Sequence, residues 1–183
     1  MEPMAKLLLC CGASVAIYKA CDLASKLTQA GHTVKTVMTP AAAELISPQL
    51  FEAVTGQSAS VSEFGPARRG AMDHIQLGQW ADLILVAPAS ADLIGRLAHG
   101  LAGDLVTTAI LACPKERPRV LCPAMNPGML AQPSVQRNLK QLGSDGWTVV
   151  QPEAGHMACG DDGLGRLPEP ATLVLRVAEF LRP

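Results

Sequence analysis

Apolar residues fall along this chain in two kinds of pattern. Unbroken runs occur in KLLLCC (6–11), LILVA (83–87) and RVLC (119–122), each closed by Gly, Pro or a polar residue. Such runs predict strands buried on both faces. Between them, apolar positions recur every three or four residues. Ala16, Ala20, Leu23, Ala24 and Leu27 predict a helix that Gly31 ends, and HTVKTVMT (32–39) follows as a second strand. Helical spacing returns at 41–46, is interrupted at Ser47-Pro48, and resumes from 48 to 54. A short third strand is expected at 58–61 and an irregular loop at 63–72. DLILVAPAS predicts the central strand, stopped by Pro88. Helices are expected at 92–98 and 104–112, divided by Gly100 and Gly103, and again at 135–142 and 171–181. RVLCPAMN runs from strand into loop, and WTVVQP reads as a last strand. From 152 to 170 the chain has no period, and a loop of that length in a compact domain is functional or disordered.

Strands alternating with helices from end to end predict an α/β protein. We expect a single three-layer Rossmann-like or flavodoxin-like domain over residues 1–183, with a mostly parallel sheet of about six strands and right-handed crossovers. In such sheets ligands sit beyond the carboxyl ends of the strands. The residues there are Gly12-Ala13-Ser14, Thr39, Ala87-Pro88-Ala89-Ser90 and Pro123-Ala124-Met125-Asn126.

Composition sharpens this picture. The 183 residues suffice for one domain, and 49% are hydrophobic while 3% are aromatic, so Ala, Val, Leu and Ile must fill the core. The net charge is −1 with no block of like charges, which argues against a nucleic-acid or anionic-membrane partner. No apolar run approaches the roughly 18 residues that span a bilayer. The N-terminal apolar stretch is brief and follows Glu2, so no signal peptide is read. The six cysteines include no CxxC pair; zinc is not expected, and mostly structural thiols in a reducing, cytoplasmic setting are.

Several residues carry chemistry on their own terms. Gly12 lets backbone approach a ligand, and the following helix start with Ser14 suits a phosphate; an ordinary tight turn with Ser14 as helix cap is the other reading. The segment is neither GxGxxG nor a Walker loop. Thr39 and Ser90 add hydroxyls at the same edge, making a neutral polar rim suited to a phosphate and a polyhydroxylated chain, or else serve only as caps. His74 is a loop histidine, either surface or catalytic. Asn126 can donate to a carboxylate without a tight ion pair, or mark a turn. Cys159 lies among Gly155, Gly160, Gly163 and Gly165, either as an incidental loop cysteine or in a loop able to fold over a ligand and bring a thiol as proton donor.

GASVAIYK (12–19), VMTPAA (37–42), DHIQLGQWADLILVAPASADLI (73–94), GLAGDLVTT (100–108), CPAMNPGM (122–129) and ACGDDGLGRLPEP (158–170) together resemble the homo-oligomeric flavin-containing cysteine decarboxylases. Within them the likeness is to the branch that acts on phosphopantothenoylcysteine in coenzyme A biosynthesis. It covers essentially the whole chain, and the combination of HIxLxxWAD, PAMN and ACGxxGxGR is far more specific than any one piece. The resemblance implies FMN bound near a subunit interface of a homotrimer, or of a dodecamer of trimers. It assigns cofactor contacts to Gly12, Ser14, Thr39, Ala89, Ser90, Ala91, Asp92 and Met125. It implies that His74 is the catalytic base, that Asn126, Ala158 and Gly160 bind the substrate, with Asn126 on its carboxylate, and that Cys159 on a mobile flap returns a proton.

The implied chemistry is transient oxidation of the substrate thiol to a thioaldehyde, loss of CO₂ and re-reduction to 4′-phosphopantetheine. An amide at Asn126 suits this better than a Lys or Arg clamp, which would hold the carboxylate in the ground state. The cysteine flap favours this full cycle over the peptidyl-cysteine decarboxylases of the same family, which stop at the enethiol. A regulatory flavin-binding relative without turnover and a prenyl-FMN-forming transferase are the remaining readings. The chain departs from the family in ending at Pro183 without a ligase domain, which implies a ligase on another chain or a shortened one, and in carrying Asp92 where some members have Asn.

Overall fold

The computed structural model describes residues 4–64, 72–156, 158 and 160–181. β1 (Lys6–Cys11) leads through a Gly12 turn into α1 (Ile17–Gln29) and then into β2 (Thr33–Met38). α2 (Pro40–Ala43) and α3 (Pro48–Thr55) precede the two-residue β3 (Ala59–Ser60). α4 (Asp73–Trp80) feeds β4 (Leu83–Ala89), followed by α5 (Ala91–Ala98), α6 (Leu105–Ala112) and β5 (Arg119–Pro123). α7 (Pro127–Leu130), α8 (Pro133–Ser144) and β6 (Thr148–Val149) come next, then β7 (Glu153–His156), β8 (Asp162–Arg166) and α9 (Pro170–Phe180). β1 to β6 pair in parallel in the order β3-β2-β1-β4-β5-β6, the expected α/β architecture.

The unbroken apolar runs follow from this position. β1 and β4 lie in the middle of the sheet with helices on both faces, so every other residue faces a different apolar layer. Leu7, Leu9 and Cys11 join Leu83 and Leu85 against α1, α3 and α9. Leu8 and Cys10 join Ile84 and Val86 against α4, α5, α6 and α8. Leu7, Leu8 and Leu9 are fully buried, each contributing roughly 1.5–3 kcal/mol. Cys10, Cys11, Cys21, Cys113 and Cys122 are free and buried, and burial raises each thiol; that of Cys122 is pushed up to about 12. These thiols pack as small hydrophobes, as the sequence suggests.

Helix starts are set by polar caps followed by proline. Thr39 accepts from Ala42 N–H and Ser47 from Gln49 N–H, with Pro40 and Pro48 in the first turns. Asp104 closes a reciprocal capping box with Thr107 and also holds Arg96 at 2.6 Å. α4 lies against α6 at Gly78, where a Cβ would stand 2.6 Å from the Ala109 carbonyl oxygen.

The structure corrects several expectations. The region 152–170 is not an irregular loop: β7 and β8 form an antiparallel hairpin. Pro88 does not stop β4, which continues to Ala89 with a register shift after Val86, and the Pro88 carbonyl accepts Gly12 N–H at 2.9 Å. His74 is not in a loop but in the first turn of α4. The helix expected at 41–46 is the single turn α2, and WTVVQP contributes only Thr148–Val149. Ser14 does not cap α1; the cap position is Ala16, and Ser14 Oγ accepts Ala16 N–H at 3.4 Å. Of the expected loop at 63–72, residues 65–71 lie outside the described residues.

Candidate functional site

Because β1, β2, β4 and β5 run parallel, the residues that follow them share one rim of the sheet. The chain leaves β1 toward β2 and leaves β4 toward β5, so the connections diverge between β1 and β4 and open a crevice at their carboxyl ends. Gly12 forms its floor. A Cβ there would stand 3.0 Å from the Pro88 oxygen and 3.1 Å from both Ser90 N and Leu93 Cδ2, so only glycine lets the two strand ends close together. Ser90 caps α5 by accepting Leu93 N–H, and Thr39 caps α2; each hydroxyl keeps its own proton to donate. Asp92 points outward and pairs with Arg96 at 2.9 Å.

Beside this rim lies a pocket of about 220 Å³. Its walls include Ser14, Met125, Asn126 and Ala158 from the predicted set, together with Lys19 and Arg166. Thr39 lies elsewhere on the rim, after β2, and His74, at the start of α4, is not among the residues that line this pocket. Asn126 is placed by its backbone role as cap of α7: Oδ1 accepts Gly128 N–H at 2.8 Å, which turns the amide NH₂ the other way. That NH₂ donates to the Asp161 carboxylate at 2.5 Å.

The hairpin forms one wall, and its glycines have specific causes. Gly163, at φ 158°, lies where a Cβ would be 2.9 Å from the Pro127 ring. Gly155, at φ 152°, lets the Arg166 side chain cross over it. Met125 N–H donates to the Gly165 carbonyl at 3.1 Å, tying β8 to the segment after β5. The base of the hairpin is fastened to α1 by Lys19, whose ammonium donates to the Leu167 carbonyl at 3.0 Å and to Glu169 at 2.7 Å. That hydrogen bond, with Lys19 and Arg166 charge beside it, holds the Glu169 carboxyl below its ordinary value. Gly160 is exposed at the far end of the hairpin, and Cys159 lies outside the described residues.

Away from this pocket, His74 Nδ1 lies 2.5 Å from Glu63 Oε2, with both side chains largely covered. Lys19, Arg166, Asp161 and Glu63 were not singled out from the sequence. Lys19 had a signal: it is spaced with Leu23 and Leu27 on the apolar face of α1, where a lone lysine needs a partner. Among the described residues no group of three or more His, Cys, Asp or Glu is placed to hold a metal ion. No described helix is long and apolar enough to cross a membrane.

Comparison with known proteins agrees with the fold. The model of the family described as Flavoprotein matches residues 1–182. The coenzyme A biosynthesis bifunctional protein of Bacillus subtilis (strain 168) is 44% identical over 167 residues, which are 91% of this chain and 41% of that protein. The chain therefore spans less than half the length of this curated relative. Among solved structures, a PPC decarboxylase mutant complexed with pantothenoylaminoethenethiol superposes with a TM-score of 0.88 at 28% identity, covering 97% of this chain and 98% of that one. The FMN binding protein AtHal3 superposes with a TM-score of 0.84 at 29% identity, covering 97% of each chain.

Proposed function

The chain belongs to the flavoprotein family, and on that footing we propose that it is an FMN-dependent carboxy-lyase converting 4′-phosphopantothenoylcysteine to 4′-phosphopantetheine in coenzyme A biosynthesis. The observation that carries this reading is the amide of Asn126. It is anchored on one side by Gly128 and already grips a carboxylate, that of Asp161, in the wall of a pocket continuous with the rim.

The residues of the rim fit FMN. Gly12 keeps a Cβ out of the crevice, the neutral hydroxyls of Ser14, Thr39 and Ser90 suit a phosphate and a ribityl chain, and the buried Met125 with Ala124 offers apolar surface to a ring. Ala89, Ala91 and Asp92 complete the proposed contact set around the start of α5. When bound, FMN supplies the two-electron sink without which a cysteine carboxylate has no stable way to lose CO₂.

The chain's own groups do the rest in this proposal. Asn126 donates to the substrate carboxylate, displacing Asp161, and orients it without the ground-state grip of a cation. His74, which does not line this pocket within one chain, takes the thiol proton where the proposed homo-oligomer brings it to the substrate. Cys159 returns a proton to carbon, and Ala158, in the pocket wall, and Gly160 contact the substrate. Val15 and Tyr18, each 63% exposed, stand at the pocket beside Ser14, and their apolar surface supports a homo-oligomer, a trimer or a dodecamer of trimers. The free buried thiols support a cytoplasmic location.

The test is incubation of FMN-loaded protein with 4′-phosphopantothenoylcysteine and mass analysis of the product. We expect 4′-phosphopantetheine and one CO₂ per substrate. Unchanged substrate, or a product that stops at the oxidised enethiol, would overturn the reading.

A further inference from the structure

We propose that Glu63 is the positioning residue for His74, fixing which ring nitrogen receives the substrate's proton; this rests on His74 being the base of the proposed decarboxylation. Glu63 Oε2 lies 2.5 Å from His74 Nδ1, and the two side chains are 18% and 25% exposed. A carboxylate can only accept, so the contact places the imidazole proton on Nδ1 and leaves the Nε2 lone pair free. Nε2 is thereby the nitrogen able to accept a proton. In the proton transfer the S–H bond breaks, the Nε2–H bond forms, and the positive charge on the ring faces the Glu63 carboxylate.

The backbone holds both partners in place. Glu63 follows the edge strand β3 in a turn closed by Ser62, whose Oγ accepts Phe64 N–H at 3.1 Å and donates to the Phe64 carbonyl at 3.3 Å. His74 sits in the first turn of α4, one turn before Gly78, where that helix is locked against α6. The pair is eleven positions apart in sequence, and the contact joins the turn after β3 to the start of α4. An acid on a mobile tail would not select a tautomer; an acid on a hydrogen-bonded turn does.

The experiment has two readouts. In FMN-loaded protein labelled with 15N-histidine, two-bond 1H–15N correlation, with His74→Asn assigning the signal, should show a protonated Nδ1 and bare Nε2 for His74. Glu63→Gln should mix the two tautomers. In the decarboxylation assay Glu63→Gln should lower kcat by about a hundredfold or more with KM within about twofold, while Glu63→Asp recovers part of the loss. FMN content and melting temperature, measured on the same samples, exclude a folding defect. A wild-type His74 protonated on Nε2, or a Glu63→Gln enzyme with ordinary kcat, would overturn the assignment. If the wild type does not decarboxylate at all, the functional reading fails, while the tautomer measurement still decides the pairing.

Discussion

Asn126 donates its side-chain N–H to the carboxylate of Asp161, thirty-five residues further along the chain. The contact joins the cap of α7 to the hairpin. Asn126→Asp isolates the donor, because aspartate caps a helix as well as asparagine does and keeps the Gly128 hydrogen bond. The variant would confront both Asp161 and a bound carboxylate with a like charge. We expect CO₂ release to fall at least about a hundredfold, about 2.7 kcal/mol of transition-state stabilisation, with FMN content and circular dichroism unchanged. Ordinary turnover would remove Asn126 from the reaction.

The hairpin reaches Asn126 only because Gly163 lies flat on Pro127. A methyl group there would sit 2.9 Å from a rigid ring, at a backbone angle that L-residues rarely adopt. Gly163→Ala should therefore lift the hairpin from α7. Little apolar surface is lost with it, so the melting temperature should move by no more than about 2 °C. KM for the substrate should rise severalfold. A variant with unaltered KM would show that the hairpin does not shape the pocket in use.

Gly78 makes a different demand. Its added Cβ would meet the Ala109 carbonyl oxygen at 2.6 Å and Cys113 N at 2.9 Å, all backbone on a buried helix. Gly78→Ala gains helix propensity but forces α4 away from α6, a net cost of about 1–3 kcal/mol. Urea unfolding of the FMN-loaded protein would measure it. His74 lies one turn away on the same helix, so kcat should fall with stability. A variant as stable as the wild type would mean the helices separate without strain.

The core strands were legible in the sequence because burial on both faces leaves no polar position in β4 and only the exposed Lys6 at the start of β1, and Leu83 to Ala87 announce themselves. The hairpin was not. Glu153-Ala154-Gly155-His156 and Asp162-Gly163-Leu164-Gly165-Arg166 have no apolar alternation, since their glycines answer to Pro127 and Arg166 rather than to a core. The rim was legible residue by residue, because parallel topology sends every strand end to the same side. The pairings were not. Nothing in the neighbourhood of Glu63 sets it apart from other loop acids, and no local pattern announces its contact with His74. Pro88 is not legible as part of β4 because a proline ordinarily ends a central strand, whereas this strand accommodates it by a register shift at the crevice.

The last prediction concerns pH and stability. Asp104 caps α6 and binds Arg96, and its side chain is 9% exposed. Burial pushes its carboxyl upward, but the Thr107 N–H, the Arg96 guanidinium and the Thr107 hydroxyl together more than offset this and hold it below the ordinary 3.8. A group whose folded value is depressed stabilises the native state in full above its unfolded value, and loses that contribution as pH falls through the folded one. Asp104→Ala should thus cost about 1–2 kcal/mol at neutral pH, as expected for a lost cap. The gap between wild type and variant, read from urea unfolding, should hold constant down to about pH 5 and then narrow as acid protonates the wild-type carboxyl. Asp104→Asn retains a capping oxygen without charge, so its own stability should vary less steeply with pH below 4 than that of the wild type. A gap between wild type and Asp104→Ala that widened in acid would show that this carboxyl is held above its ordinary value and that burial outweighs its partners.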